Sequence, residues 1–323
     1  MQTRLVGRRP TVAPAELVAS LTPPPHFSHA TFASYAPDPA FPSQATALAS
    51  AIAFATGASG RKRPSGGNGL YLDGGFGVGK THLLTAMAHS VGGGAAFGTF
   101  LEYTSLVGAL GFAPARDALS RFQLVCIDEF ELDDPGDTLL MARLMRELAD
   151  AGVALAATSN TPPGALGEGR FAADDFRREI QSLASRFAVQ TIDGPDYRHR
   201  DALGDAPPAS ASEVAEVATR ADGTVEEWGE LIADLATVHP SRYAAYVEGV
   251  RTLGLQNVAP LADQNQALRL VMLVDRLYDA NVRVVASGQP WTEIFAPDML
   301  AGGYRKKYLR ALSRLHAMTS GTD

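Results

Sequence analysis

Residues 74–81 read Gly-Gly-Phe-Gly-Val-Gly-Lys-Thr and meet the pattern G-x-x-x-x-G-K-[ST] at every fixed position. The chemistry of that pattern is phosphate binding. Gly74, Gly75, Gly77 and Gly79 carry no side chain, so the backbone can turn tightly and aim its N–H groups inward. Those groups and the positive end of a following helix take up phosphate oxygens. Lys80 is then placed for the β- and γ-phosphates and Thr81 for Mg²⁺, with Phe76, Val78 and His82 completing the cradle. A glycine-rich turn with a chance Lys-Thr is the plain alternative. Context decides between the two: residues 69–73 form a short apolar run and residues 82–88 follow as a helix, the setting in which the pattern has physical meaning.

A second group narrows the chemistry. Residues 124–129, Leu-Val-Cys-Ile-Asp-Glu, are an apolar strand ending in two carboxylates. At the strand's carboxyl edge Asp128 faces the metal and holds it through water, because Mg²⁺ keeps much of its hydration shell. Glu129 is placed to polarise the water that attacks the γ-phosphate. Ras-type GTPases usually lack this glutamate and carry N-K-x-D, a motif this chain does not have. An acid pair opening a helix is the plain reading of Asp-Glu. With the glycine loop upstream, the pair points to ATP hydrolysis.

The third group is Ala156, Ala157, Thr158, Ser159 and Asn160, again polar at the end of an apolar strand. A strand lying between those of the glycine loop and the acid pair would bring Asn160 beside the γ-phosphate, where its amide can orient water. Taken alone, Ser-Asn before Thr-Pro-Pro is a turn. Arginines come fourth: Arg170, Arg177, Arg178 and Arg186 follow closely. A guanidinium lent by one subunit to its neighbour can neutralise charge on the γ-phosphoryl oxygens. Arg186 and Arg170 are the competing candidates for that finger, and solvated surface charge is the plain reading of both.

The positioning elements follow from pattern. The spacing predicts helices over 44–56, 104–110, 138–151 and 176–187, and strands over 69–73, 97–103, 122–127, 153–158 and 189–192. Strands alternating with helices imply a three-layer α/β domain with a parallel sheet, a P-loop NTPase. Residues 1–45 hold too much proline for regular helix, and their aromatics predict a segment packed along the core. Residues 46–201 are the ATPase domain. Residues 202–323 are a mostly helical lid, with residues 203–222 as linker, helices over 225–238, 265–280 and 304–318, and one further strand over 282–286. No internal repeat is evident.

Composition sets the outer bounds. The net charge of −7 argues against nucleic acid as a partner. Cys126 stands alone, so neither a disulfide framework nor a cysteine zinc site is available, and its apolar surroundings predict a buried thiol. Residues 1–10 lack an apolar h-region and no stretch approaches about 20 apolar residues, which predicts a cytoplasmic protein without a transmembrane segment, at most peripheral to the membrane's inner face.

Several ordered motifs carry a family resemblance. Residues 69–81, Ile127 to Phe130 with Asp133 and Asp137, residues 158–163 (Thr-Ser-Asn-Thr-Pro-Pro), and residues 193–200 (Asp-Gly-Pro-Asp-Tyr-Arg-His-Arg) resemble the ZapE-like, AFG-type ATPases. So do Phe32, Tyr35, Asp38, Pro39 and Pro42 to Gln44, and Leu273 to Asp279; the likeness runs from about residue 27 to 318. It implies an AAA+-type domain with a C-terminal lid, an ATP site shared between identical subunits, and a protein partner in cell division or membrane-protein quality control. The chain departs from the family in residues 103–112 and in the spacing between Arg170 and Phe176. A helicase loader like DnaC and IstB is the rival reading. The acidic charge and the extended C-terminal region stand against it.

Overall fold

The computed structural model describes residues 4–60, 69–75, 77–132, 135–166, 181–182, 184–195, 208–220 and 223–320. They form two compact units, Ala13–Arg200 and Met1–Val12 with Asp201–Asp323.

In the first unit five parallel strands, β1 (Gly69–Gly74), β2 (Ala95–Thr99), β3 (Leu124–Asp128), β4 (Ala154–Ser159) and β5 (Phe187–Ile192), lie in the order β2-β3-β4-β1-β5. Leu124 to Ile127 are buried, as an uncharged run in the middle of a parallel sheet must be, and Asp128 at the strand's carboxyl end is buried with them. Alternation sorts side chains to the two faces. Leu70, Leu72 and Cys126 pack with Ala47, Ala51, Leu83, Leu84 and Met87 of α2 (Pro42–Ser59) and α3 (Lys80–Val91). Tyr71, Val125 and Ile127 pack on the other face with α4 (Phe100–Leu110), α5 (Phe112–Leu119) and α6 (Pro135–Asp150). This is the three-layer α/β arrangement with a parallel sheet that the alternation of strands and helices predicts. Cys126 is fully buried, and burial pushes its thiol well up.

Two expectations for this unit need correction. The second strand stops at Thr99, and residues 100–103 open α4 instead of extending the strand. A reciprocal cap causes this: the Thr99 N–H donates to Glu102 Oε2 at 2.7 Å, and the Glu102 N–H donates to Thr99 Oγ1 at 3.3 Å. The proline-rich start also contains a short helix, α1 (Pro14–Ala19), with proline at its first position where the missing N–H costs nothing.

In the second unit β6 (Thr224–Glu227), β7 (Thr252–Val258) and β8 (Arg283–Gly288) form a parallel sheet in that order. Around it lie α7 (Ala211–Arg220), α8 (Trp228–Leu235), α9 (Tyr243–Tyr246), α10 (Gln264–Asp279), α11 (Pro297–Ala301) and α12 (Arg305–Ser320). The expected helix over 225–238 is therefore a strand followed by a helix, β7 went unread, and the expected linker contains α7. Residues 4–9 belong here: Leu5 enters the core, Arg4 donates to buried Glu226 at 3.2 Å, and Arg9 donates to Asp234 at 2.8 Å. Burial works to raise the Asp234 carboxyl, but Arg9, Tyr246 and the Gly7 N–H hold it below the usual carboxylate range.

Candidate nucleotide site

The site lies at the carboxyl edge of the five-stranded sheet, where β1, β3 and β4 end. β4 pairs with β1 on one side and β3 on the other, so three polar strand ends stand side by side. Gly79, with φ +90°, turns the loop into α3 at a backbone angle that side chains rarely adopt. Tyr35 lies against its α-carbon, so a side chain at 79 would meet that ring. The Tyr35 hydroxyl donates to Val78 O at 3.1 Å.

Lys80 Nζ donates to Gly74 O at 3.0 Å, to Gly75 O at 2.5 Å and to Asn160 Oδ1 at 2.9 Å. Thr81 Oγ1 lies 3.2 Å from both carboxylate oxygens of Asp128. The Thr158 hydroxyl donates a short bond to Asp128 Oδ1 and accepts the Glu129 N–H at 3.2 Å. Glu129 itself sits at φ +53°, an uncommon angle for a residue with a side chain, and it ends β3 in a sharp turn. Asp128 is buried. Burial and the neighbouring Glu129 push its carboxyl above the usual range, against the bonds from Thr158 and Thr81 that favour the anion. A buried carboxylate beside a hydroxyl is a hard-oxygen donor set, which fits Mg²⁺. Lys80 and the glycine loop fit the phosphates. In this arrangement Thr81 and Asp128 would hold the ion.

His82 Nε2 lies 2.9 Å from Thr31 O and 3.1 Å from Ser34 Oγ. A carbonyl only accepts, so Nε2 carries the proton. His82 thus ties the N-terminal segment to the first turn of α3. Phe76 and Arg170 lie outside the described residues, as do Arg177 and Arg178. Arg186 precedes the amino end of β5 and pairs with Asp150 at 3.5 Å. The phosphate loop follows the opposite end of the neighbouring β1, so Arg186 does not join its own chain's site.

A profile of the AFG1-like ATPases matches residues 11–232 and 204–322. The chain belongs to the AFG1-like ATPase family. It is similar to the cell division protein ZapE of Escherichia coli K12, 28% identical over 300 residues that cover 78% of each chain. It is also similar to lactation elevated protein 1 homolog B of Danio rerio, 27% identical over 209 residues, covering 54% of this chain and 42% of that protein. Among solved structures, domain III of the Thermotoga maritima replication initiation protein DnaA is 19% identical, with 78% of this chain and 97% of that one covered at a TM-score of 0.42. The family resemblance read from the motifs is borne out.

In this AFG1-like ATPase, residue-by-residue reading missed the supports of the site. Glu131 is buried and accepts from Ser159 Oγ at 3.0 Å, the Asn160 N–H at 3.2 Å and Thr161 Oγ1 at 3.1 Å, fixing the turn that presents Asn160. Gln44 accepts the Asp38 N–H and donates to Asp193 O, each at 2.9 Å, joining the N-terminal segment to the end of β5. Tyr35, Asp38 and Gln44 stood in the motifs that carried the resemblance, but their spacing gave them no role. Glu131, two residues after Glu129, was the available signal for the other support.

Proposed function

We propose that this AFG1-like ATPase hydrolyses ATP with Mg²⁺ at the site described and uses the energy to remodel a protein partner. The observation that carries the chemistry is the convergence of Lys80, Thr81, Asp128, Thr158 and Asn160 at one sheet edge. Lys80 exchanges the carbonyls of Gly74 and Gly75 for β- and γ-phosphate oxygens. Thr81 and Asp128 would hold the ion, which would supply positive charge to offset that of those oxygens. Asn160 orients a water; Glu129 takes its proton as the water oxygen bonds to the γ-phosphorus and the bond to the bridging oxygen breaks, releasing ADP.

The partner reading rests on the name of the similar bacterial relative, a cell division protein. No helix among the described residues is long and apolar enough to cross a membrane. The reading places the protein in the cytoplasm, where it would meet a division-associated partner. The test is a pair of variants. Lys80→Ala loses nucleotide binding while the fold persists; Glu129→Gln keeps binding and loses turnover by about 10²–10⁴-fold. Unchanged affinity in the first or near-normal turnover in the second sinks the assignment. Stimulation of the wild type by single-stranded DNA, with no response to protein partners captured on Glu129→Gln, would sink the remodelling half.

A further inference from the structure

The second unit repeats the backbone of the first from β2 through β4. The order β2-β3-β4 recurs as β6-β7-β8, all parallel. Thr99 faces Asp128 across the first strand pair and Glu227 faces Gln256 across its counterpart. Phe100 opens α4 directly after β2, and Trp228 opens α8 directly after β6. The helices α6 and α10 are each sixteen residues long and end at Asp150 and Asp279.

The match extends to single hydrogen bonds. The Gly152 N–H donates to Ala149 O at 2.9 Å and the Asn281 N–H to Tyr278 O at 3.0 Å; both donors have positive φ. Val153 N–H to Leu148 O at 2.9 Å recurs as Val282 N–H to Leu277 O at 3.0 Å. Past the last strands, Ala165 N–H to Pro162 O recurs as Glu293 N–H to Pro290 O. Most telling is the strand end itself. Glu129, at φ +53°, donates its N–H to the Thr158 hydroxyl at 3.2 Å, and Asn257, at φ +58°, donates its N–H to the Ser287 hydroxyl at 3.3 Å. Glu129 directly follows the last residue of β3, and Asn257 sits one residue before the end of β7, in the register shift that precedes Val258. Two left-handed residues with side chains, each near the carboxyl end of the corresponding strand and bonded to the hydroxyl of the next strand, are not a general requirement of parallel sheets.

The backbone of the site survives in the second unit, and its chemistry does not. Asp128 corresponds to Gln256, Glu129 to Asn257 and Asn160 to Gln289. The Gln256 amide donates to Ala211 O at 3.1 Å, and the Asn257 amide donates to the Glu227 carboxylate at 3.1–3.2 Å. Neutral amides put no negative charge on Mg²⁺ where the first unit offers a carboxylate, and they take no proton from water. The pattern G-x-x-x-x-G-K-[ST] occurs once in the chain, at 74–81. On the side where β4 pairs with β1, β8 pairs with no strand among the described residues.

We infer that residues 224–293 are a second copy of the half-fold formed by residues 95–165, stripped of phosphate chemistry, so that each chain binds one nucleotide and the C-terminal unit binds none. The count rests on the reading of the glycine loop given above, and the experiment separates the two. ADP binding by the full chain is measured by equilibrium dialysis with Mg²⁺, and its footprint by amide hydrogen exchange. The wild type is expected to bind one ADP per chain, with protection at 77–83; Lys80→Ala is expected to lose both. Two ADP per chain, or protection of 252–258 and 287–290 that persists in Lys80→Ala, overturns the silent copy. No ADP bound to the wild type overturns the glycine-loop reading on which the count rests.

Discussion

Lys80 Nζ donates to Asn160 Oδ1 at 2.9 Å, joining the lysine of the glycine loop to the turn after β4. The amide that is to orient water also holds the lysine before phosphate arrives. Asn160→Ala removes that tether without touching the glycine loop. Nucleotide affinity is expected to hold or rise, while turnover falls by about 10²-fold, the scale seen on deleting one oriented dipole at a reacting centre. Full turnover in Asn160→Ala would assign the water to another residue.

Glu131 supports that amide from below, through its bonds to Ser159, Asn160 and Thr161. Glu131→Ala strands these donors beside a buried void, each worth about 1–3 kcal/mol if it finds no other partner. The variant is expected to melt lower and to lose turnover with Asn160 misplaced, while Lys80 still binds nucleotide. If turnover stays normal while Tm drops, Glu131 is structural only.

How much of this was legible depended on range. The glycine loop, the acid pair and the sensor turn are each contiguous in sequence, so residue type and order revealed them, and β4 lies between β1 and β3 as the chemistry required. The supports were not legible because they join distant segments. Gln44 reaches Asp193 and Tyr35 reaches Val78, and no periodicity records such a bond. The end of β2 was misread because Phe100 to Tyr103 look β-rich, while the Thr99–Glu102 cap overrides that propensity. In the second unit, the short β6 ran into α8 without a turn residue, so the two read as one helix. The internal copy escaped because few positions kept their identity. Leu144, Leu148, Asp150, Ala151 and Val153 recur as Leu273, Leu277, Asp279, Ala280 and Val282, mostly core or junction residues that fold selection alone could retain.

Asp128 gives a prediction in pH. Burial and Glu129 raise its folded-state carboxyl above the ordinary range, so the fold prefers it protonated. Its contribution to stability is then complete below the ordinary carboxylate pKa and is lost as pH rises through the raised value. Asp128→Asn has no such loss. Without nucleotide or Mg²⁺, the variant is expected to gain stability relative to wild type as pH rises through the acid range, and to keep that gain at neutrality. Urea midpoints from pH 4 to 8 measure it. A constant difference, or one of opposite sign, would show that Thr81 and Thr158 compensate the buried charge fully.

Assembly is the remaining question, and Arg186 poses it. It precedes the amino end of β5, while the glycine loop follows the carboxyl end of the adjacent β1. Six residues of strand span roughly 20 Å, beyond the reach of a guanidinium. If Arg186 acts as a finger, it therefore acts on another subunit. Turnover per chain should then rise with protein concentration, and Arg186→Ala should cost on the order of 10³–10⁵ in rate, as loss of a finger does in P-loop enzymes. Mixing Arg186→Ala with Lys80→Ala is the decisive arm. The first subunit keeps an intact glycine loop and the second lends it the arginine, so two dead proteins should regain activity together. Arg170→Ala in the same mixture decides between the two arginines: whichever variant is both inactive alone and rescued by Lys80→Ala marks the finger. If neither mixture recovers and specific activity is flat with concentration, each chain completes its own site and the shared-site reading fails.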